Sequence, residues 1–183
     1  MEAAETMTLA VSIEDFNIRS LGLVQRILVT TDGTLTETLA AMFLEPIELV
    51  KLAVTIELSP DPIPELELEG GSKVMRRQIV LRGSTSGTPY VYAEVTIATD
   101  RLPPRLRDDL LAGRVPLGAL WILHRIETFK ERPRVRQRPA ADLARHLDMG
   151  EEDVLIERAY RTFTGGRPMF LVSEYFPAAY RQP

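Results

Sequence analysis

The chain reads as α+β: about five or six antiparallel strands with some four short helices inserted among them. Three observations support this. Two β-rich segments each fold back on themselves around a glycine-rich turn. The first is Lys73–Arg82 and Pro89–Thr99 around Gly83-Ser84-Thr85-Ser86-Gly87; the second is Val154–Phe163 and Pro168–Phe176 around Thr164-Gly165-Gly166-Arg167. Helical periodicity is confined to short stretches between strands and never alternates with them as regular βα units. Finally, 183 residues with 45 % apolar content are enough for one buried core, and the chain has no cysteine to staple it.

The elements follow in order. Ser12-Ile13-Glu14-Asp15-Phe16 opens a helix-like or extended arm, and residues 1–25 are read as an N-terminal arm of a single domain spanning 1–183. Arg26-Ile27-Leu28-Val29 is a short apolar run that ends at Thr30-Thr31-Asp32-Gly33. Thr34 stands at an N-cap position with Glu37 three residues on, the spacing of a capping box. Leu35, Leu39 and Met42 or Phe43 recur at helical spacing, so 35–44 is a helix, and Pro46 stops it. Val50–Leu58 is β-rich. Three prolines between Pro60 and Pro64 end it in a rigid loop. After the first hairpin, Pro103-Pro104 starts a helix through Leu111 and Pro116-Leu117-Gly118 starts another through Leu123. Arg125–Arg136 has the pattern of a long, partly exposed strand. Pro139–Leu147 is a short amphipathic helix, with Leu143 and Leu147 an i, i+4 pair.

Charge is unevenly placed. The formal net charge is −4, but residues 1–72 carry 3 basic and 13 acidic side chains (−10), and residues 73–183 carry 19 and 13 (+6). A basic C-terminal part fits an anionic ligand, or simply two solvated faces that neutralise each other. The acidic N-terminus lacks the basic and apolar regions of a signal peptide, and no apolar run approaches the ~20 residues of a membrane span. The expectation is a cytoplasmic protein with neither membrane nor nucleic-acid partner. Lack of cysteine excludes thiolate nucleophiles and cysteine metal sites. No phosphate-binding glycine motif occurs, and Gly83–Gly87 has Thr where a nucleophile elbow needs Ser. His124 and His146 are isolated in sequence and read as surface or half-buried side chains. Arg132, Arg134, Arg136 and Arg138 alternate; they read as the charged solvent face of an edge strand rather than a phosphate-binding comb.

Two charged residues sit in apolar strands. Neighbouring residues of a strand face opposite ways, so either Arg76 or Arg77 points inward, with Met75, Ile79 and Leu81 on the face of Arg77. Glu174 lies in the nearly apolar stretch Met169–Phe176. A buried charge needs a partner. The two could pair with each other, or each could meet a ligand.

Several blocks carry a likeness. Arg77-Gln78-Ile79-Val80-Leu81, Gly87-Thr88-Pro89-Tyr90, Pro116-Leu117-Gly118, Gly166-Arg167-Pro168 and Leu171-Val172-Ser173-Glu174-Tyr175-Phe176-Pro177 resemble successive blocks of the chorismate lyase family. So do Thr31-Asp32-Gly33-Thr34-Leu35-Thr36 and Arg101-Leu102-Pro103-Pro104, in the form of its short archaeal and actinobacterial branch. The resemblance runs over roughly 28–180. It implies one antiparallel sheet of about six strands with helices and flaps over a buried ligand pocket. It also implies a reaction without metal or organic cofactor: chorismate loses its enolpyruvyl group as pyruvate and becomes 4-hydroxybenzoate. Carried over by motif, Arg77 grips the ring carboxylate, assisted by backbone N–H groups at Leu117 and Gly118. Glu174 lies at the hydroxyl end of the ring, and Leu35 and Thr36 contribute the flap. Arg77 and Glu174 are thus the expected catalytic pair.

One position departs from the family. Its ubiquinone-pathway members carry an arginine on the strand where this chain has Ala93-Glu94. Glu94 is expected to pair with Arg76, Arg77 or Arg125, and the second carboxylate to be held by Arg125, Arg161 or Lys130. The effector-binding domains of GntR-type regulators share the fold, which makes a non-catalytic sensor of aromatic carboxylates the alternative. Such regulators place a DNA-binding module ahead of the sensor. Only about 25 acidic-leaning residues precede the first block here, so the enzyme is expected.

Overall fold

The computed structural model describes residues 16–180. Their centre is one antiparallel sheet of seven strands: β1 (Ile47–Leu58), β2 (Lys73–Gly83), β3 (Pro89–Ala98), β4 (Phe129–Lys130), β5 (Arg134–Pro139), β6 (Val154–Thr164) and β7 (Arg167–Pro177). The spatial order is β1-β2-β3-β7-β6-β4, with β5 also paired to β6. The two expected hairpins, β2–β3 and β6–β7, lie side by side because β3 pairs with β7. Gly165 and Gly166, with φ of 57° and 75°, make the tight turn of the second hairpin, a backbone that glycine adopts without strain.

Four α-helices cover one face: α1 (Leu23–Thr30), α2 (Leu35–Phe43), α3 (Pro104–Ala112) and α4 (Leu117–His124). They form two groups with separate cores. Leu28, Leu35 and Leu39 of α1 and α2 pack on Ile79, Leu81, Val91 and Phe176. Leu106, Leu110 and Leu120 of α3 and α4 pack on Met75, Ile97 and Phe170. The opposite face is closed by residues 141–147, whose Leu143 and Leu147 meet Val80, Tyr92, Leu155 and Tyr175. Between the two helix groups the sheet is left with a roofed hollow, and there the polar residues collect.

Some expected elements take another form. Leu23–Thr30 is a helix, not the end of an arm; residues 12–15 of that arm lie outside the described residues. Thr34 is the N-cap of α2, but its side chain makes no cap hydrogen bond, so the capping box with Glu37 does not form. Its methyl is instead turned to α4: a Cβ on Gly118 would lie 3.3 Å from Thr34 Cγ2. The strand read over 125–136 is two pieces, β4 and β5, with Pro133 between them, because proline has no N–H to give the ladder. The helix read over 139–147 is a 3₁₀ turn, Ala141–His146. Of the alternating arginines, Arg134, Arg136 and Arg138 lie along the edge strand β5, and Arg132 precedes it. Arg134 and Arg136 are exposed, Arg136 on the carboxylate of Glu157 at 2.7 Å, and Arg138 lies near Asp142 at 3.4 Å.

Candidate active site

The register of the central strands builds the floor of the hollow in two rows. Arg77 of β2 lies opposite Val95 of β3, which faces Val172 of β7, which faces Tyr160 of β6. The next row on the same face is Ile79, Ala93, Glu174 and Arg158. The two arginines therefore stand on strands three steps apart, about 14 Å at ~4.8 Å per step. Above them is a cavity of about 360 Å³. Its roof comes from residues 32–36 before and within α2 and from residues 116–118, Trp121 and Ile122 at α4. All six residues carried over from the family likeness, Leu35, Thr36, Arg77, Leu117, Gly118 and Glu174, line this one cavity.

Of the arginine pair, Arg77 faces inward and Arg76 outward. Arg76 meets Glu57 at 2.6 Å. Arg77 is 2 % exposed. Its Nη2 donates to the Val115 carbonyl at 2.8 Å, and its Nε has no partner among the described residues. No carboxylate pairs with it among the described residues. Burial lowers its pKa to about 10, so it stays charged at neutral pH.

Glu174 does not pair with Arg77. It is held by Arg158, which donates Nε to its Oε2 at 2.7 Å and brings Nη2 within 2.5 Å of the same oxygen. Tyr160 OH lies 3.1 Å from the other carboxylate oxygen, and burial together with Glu174 raises the Tyr160 pKa well above its usual value. Arg158 Nη1 donates to the Leu28 carbonyl and, at 3.1 Å, to the Thr31 carbonyl, so it also ties down the end of α1. Arg158 and Tyr160 were not singled out from the sequence. The signal was available: Arg158 lies mid-strand in Leu155-Ile156-Glu157-Arg158-Ala159-Tyr160, and the alternation applied to Arg76-Arg77 applies there as well.

Lys130 completes the charged lining. Its ammonium donates to the Thr31 carbonyl at 3.2 Å and lies 4.4 Å from the centre of the Tyr160 ring. Burial and the neighbouring Arg158 lower its pKa to about 8. At the roof, Pro116 precedes α4 and offers no side-chain acceptor, so the first-turn N–H groups at Leu117 and Gly118 have no cap. Such N–H groups suit an anion.

The family comparison decides among the folds' many uses. Residues 29–182 match the model of the family described as Chorismate pyruvate-lyase Rv2949c-like. The chain belongs to this chorismate pyruvate-lyase family. A chorismate pyruvate-lyase of Mycobacterium leprae is 36 % identical over 165 residues, covering 87 % of this chain and 76 % of that one. Its counterpart in Mycobacterium tuberculosis is 33 % identical over 169 residues, covering 90 % and 84 %. Among solved structures, a GntR-family transcriptional regulator from Bacillus cereus superposes with a TM-score of 0.58 at 14 % identity. The match covers 75 % of this chain and 96 % of that one, and it shows the fold alone.

Within this lyase-family chain, the remaining expectations sort cleanly. Glu94 pairs with none of Arg76, Arg77 or Arg125. It accepts from Gln78 Nε2 at 2.9 Å and Tyr92 OH at 2.6 Å, on the face away from the cavity. The cavity residue of that dipeptide is Ala93. Arg125 is exposed at the end of α4, and Arg161 is held bidentately by Glu131 at 2.7 and 2.6 Å. Neither lines the cavity; Lys130 does. His124 bonds Asp109 at 2.8 Å and His146 stacks on Tyr92, both away from the cavity. Among the described residues no group of three or more His, Cys, Asp or Glu side chains converges as a metal site would, and no helix is long and apolar enough to cross a membrane.

Proposed function

We propose that the protein eliminates pyruvate from chorismate, leaving 4-hydroxybenzoate, in the cytoplasm and without metal or organic cofactor. The observation that carries this reading is Arg77, a buried guanidinium with an unpartnered Nε, in a cavity whose charges sum to a cationic surplus. Three cations, Arg77, Arg158 and Lys130, face one buried carboxylate, Glu174, a surplus of two positive charges. Asp32 at the mouth is 85 % exposed and screened by solvent. Chorismate is a dianion, opposite in sign and equal in number to that surplus.

In the reaction, the ether bond from ring carbon to enolpyruvyl oxygen breaks. The hydrogen on the neighbouring hydroxyl-bearing carbon leaves the ring, and the enolpyruvyl methylene carbon gains one hydrogen to become the methyl of pyruvate. Atoms balance with no water and no redox partner. Aromatisation makes the step favourable, so the protein's work is positioning and exclusion of water. Arg77 and the N–H groups opening α4 hold the ring carboxylate. Glu174, fixed by Arg158 and Tyr160, stands at the hydroxyl end. Leu35 and Thr36 cover the ring from above.

The test is direct. Incubation with chorismate is expected to yield 4-hydroxybenzoate and pyruvate in equal amounts, well above the uncatalysed rate. Tight binding of 4-hydroxybenzoate by a folded protein that gives no turnover would replace this reading with that of a ligand sensor.

A further inference from the structure

Chorismate carries two carboxylates, and Arg77 accounts for one. At the other end of the cavity, three strands away, Arg158 has no nitrogen to spare: Nε and Nη2 are on Glu174, and Nη1 is on the carbonyls of Leu28 and Thr31. Lys130 differs. Phe129 beside it on β4 is 67 % exposed, so strand alternation turns Lys130 inward, and its side chain is only 11 % exposed. An ammonium has three protons to donate. One goes to the neutral Thr31 carbonyl. The nearest carboxylate, Asp32, stands 3.8 Å off and faces water. The Tyr160 ring lies beneath. This is a buried cation compensated by weak partners at the edge of an anion-sized cavity.

Resting on the lyase reading above, we propose that Lys130 takes the enolpyruvyl carboxylate of chorismate and so makes the site select the dianionic substrate over monoanionic aromatic carboxylates. A carboxylate is a stronger acceptor for an ammonium than the Thr31 carbonyl is. The groups facing Lys130 also leave it short of negative charge. Arg158 repels it, Glu174 is already engaged, Tyr160 stays neutral, and burial penalises the charged ammonium. An anion at this point relieves all of these together.

Chorismate and 4-hydroxybenzoate together form the test, because the product retains only the ring carboxylate held by Arg77. Lys130→Met is expected to raise KM for chorismate roughly 10- to 100-fold, the loss of one charge-assisted hydrogen bond. Its Kd for 4-hydroxybenzoate should stay within about twofold, as for an independent site. Lys130→Arg should recover most of the loss. Lys130→Gln serves as the second variant if the methionine form does not fold. An unchanged KM, or an equal loss for product and substrate, overturns the assignment while leaving the lyase reading intact. If the wild-type protein binds without turning over, chorismate Kd replaces KM in the same comparison. If it binds neither compound, both proposals fall.

Discussion

Two guanidiniums lie equally deep in this protein and are compensated in opposite ways. Arg158 is 1 % exposed and Arg77 is 2 % exposed. The first meets a carboxylate, two carbonyls and the face of Tyr160. The second meets one carbonyl. Burial alone therefore does not mark a ligand-binding charge. What marks it is the missing partner, and the two hairpins differ in just that respect: β6–β7 carries a closed ion pair, while β2–β3 carries a guanidinium with no carboxylate.

Breaking each arginine in turn sharpens the contrast. Arg158→Met leaves Glu174 buried with only Tyr160 to support it, and is expected to cost about 3–5 kcal/mol of folding stability in chemical denaturation. Adding Glu174→Gln should return part of that loss. Arg77→Met removes a charge that no side chain neutralises, so stability should change by no more than about 1.5 kcal/mol, the worth of one hydrogen bond. Its effect falls on binding: 4-hydroxybenzoate affinity measured by calorimetry should drop by about 2–5 kcal/mol. If Arg77→Met proved as destabilising as Arg158→Met, the distinction between the hairpins would be lost.

A further expected effect concerns pH. Lys130 titrates near 8 in the fold against 10.5 as its ordinary value. Between those values the unfolded chain holds more protons, so the Lys130 contribution to stability rises as the pH goes from about 8 to about 10.5. Below 8 that contribution is at its least favourable. Denaturation of the wild type compared with Lys130→Met over this window should show the difference. A flat comparison would mean that Lys130 is better solvated than its position indicates.

How much of this was legible beforehand depends on the reach of the interaction involved. Arg77 could be read because strand alternation is local: once Arg76 faces out, Arg77 faces in. The two hairpins were legible for the same reason. The partner of Glu174 was not, since choosing Arg158 over Arg77 depends on β7 lying between β3 and β6, a pairing between segments some 80 residues apart. The position of Glu94 failed similarly: a one-residue shift along β3 exchanges Ala93 for Glu94 at the cavity, and only the register fixes which one faces it. The capping box does not form, and the Thr34 side chain turns its methyl toward Gly118 of α4, a tertiary neighbour that the local spacing does not reveal. The cavity itself has no local signature. It exists because α1–α2 and α3–α4 build separate cores on one sheet face and leave a gap between them.

Helix α2 is held differently at its two ends. Just past its C-terminus, Glu45 accepts from the backbone N–H groups of Thr85 and Ser86 at 3.0 Å each and from Tyr90 OH at 2.5 Å, which pulls its pKa down to about 2. Phe43 stacks flat on Tyr90 with ring centres 3.9 Å apart. At the other end, Leu35 is buried with Ile79, Leu81 and Phe176, and the Thr34 methyl is turned toward Gly118. The two ends of the helix are thus held by different forces: hydrogen bonds and a stacked ring at one, hydrophobic burial at the other. The end that roofs the cavity is the one held by burial rather than by a side-chain cap.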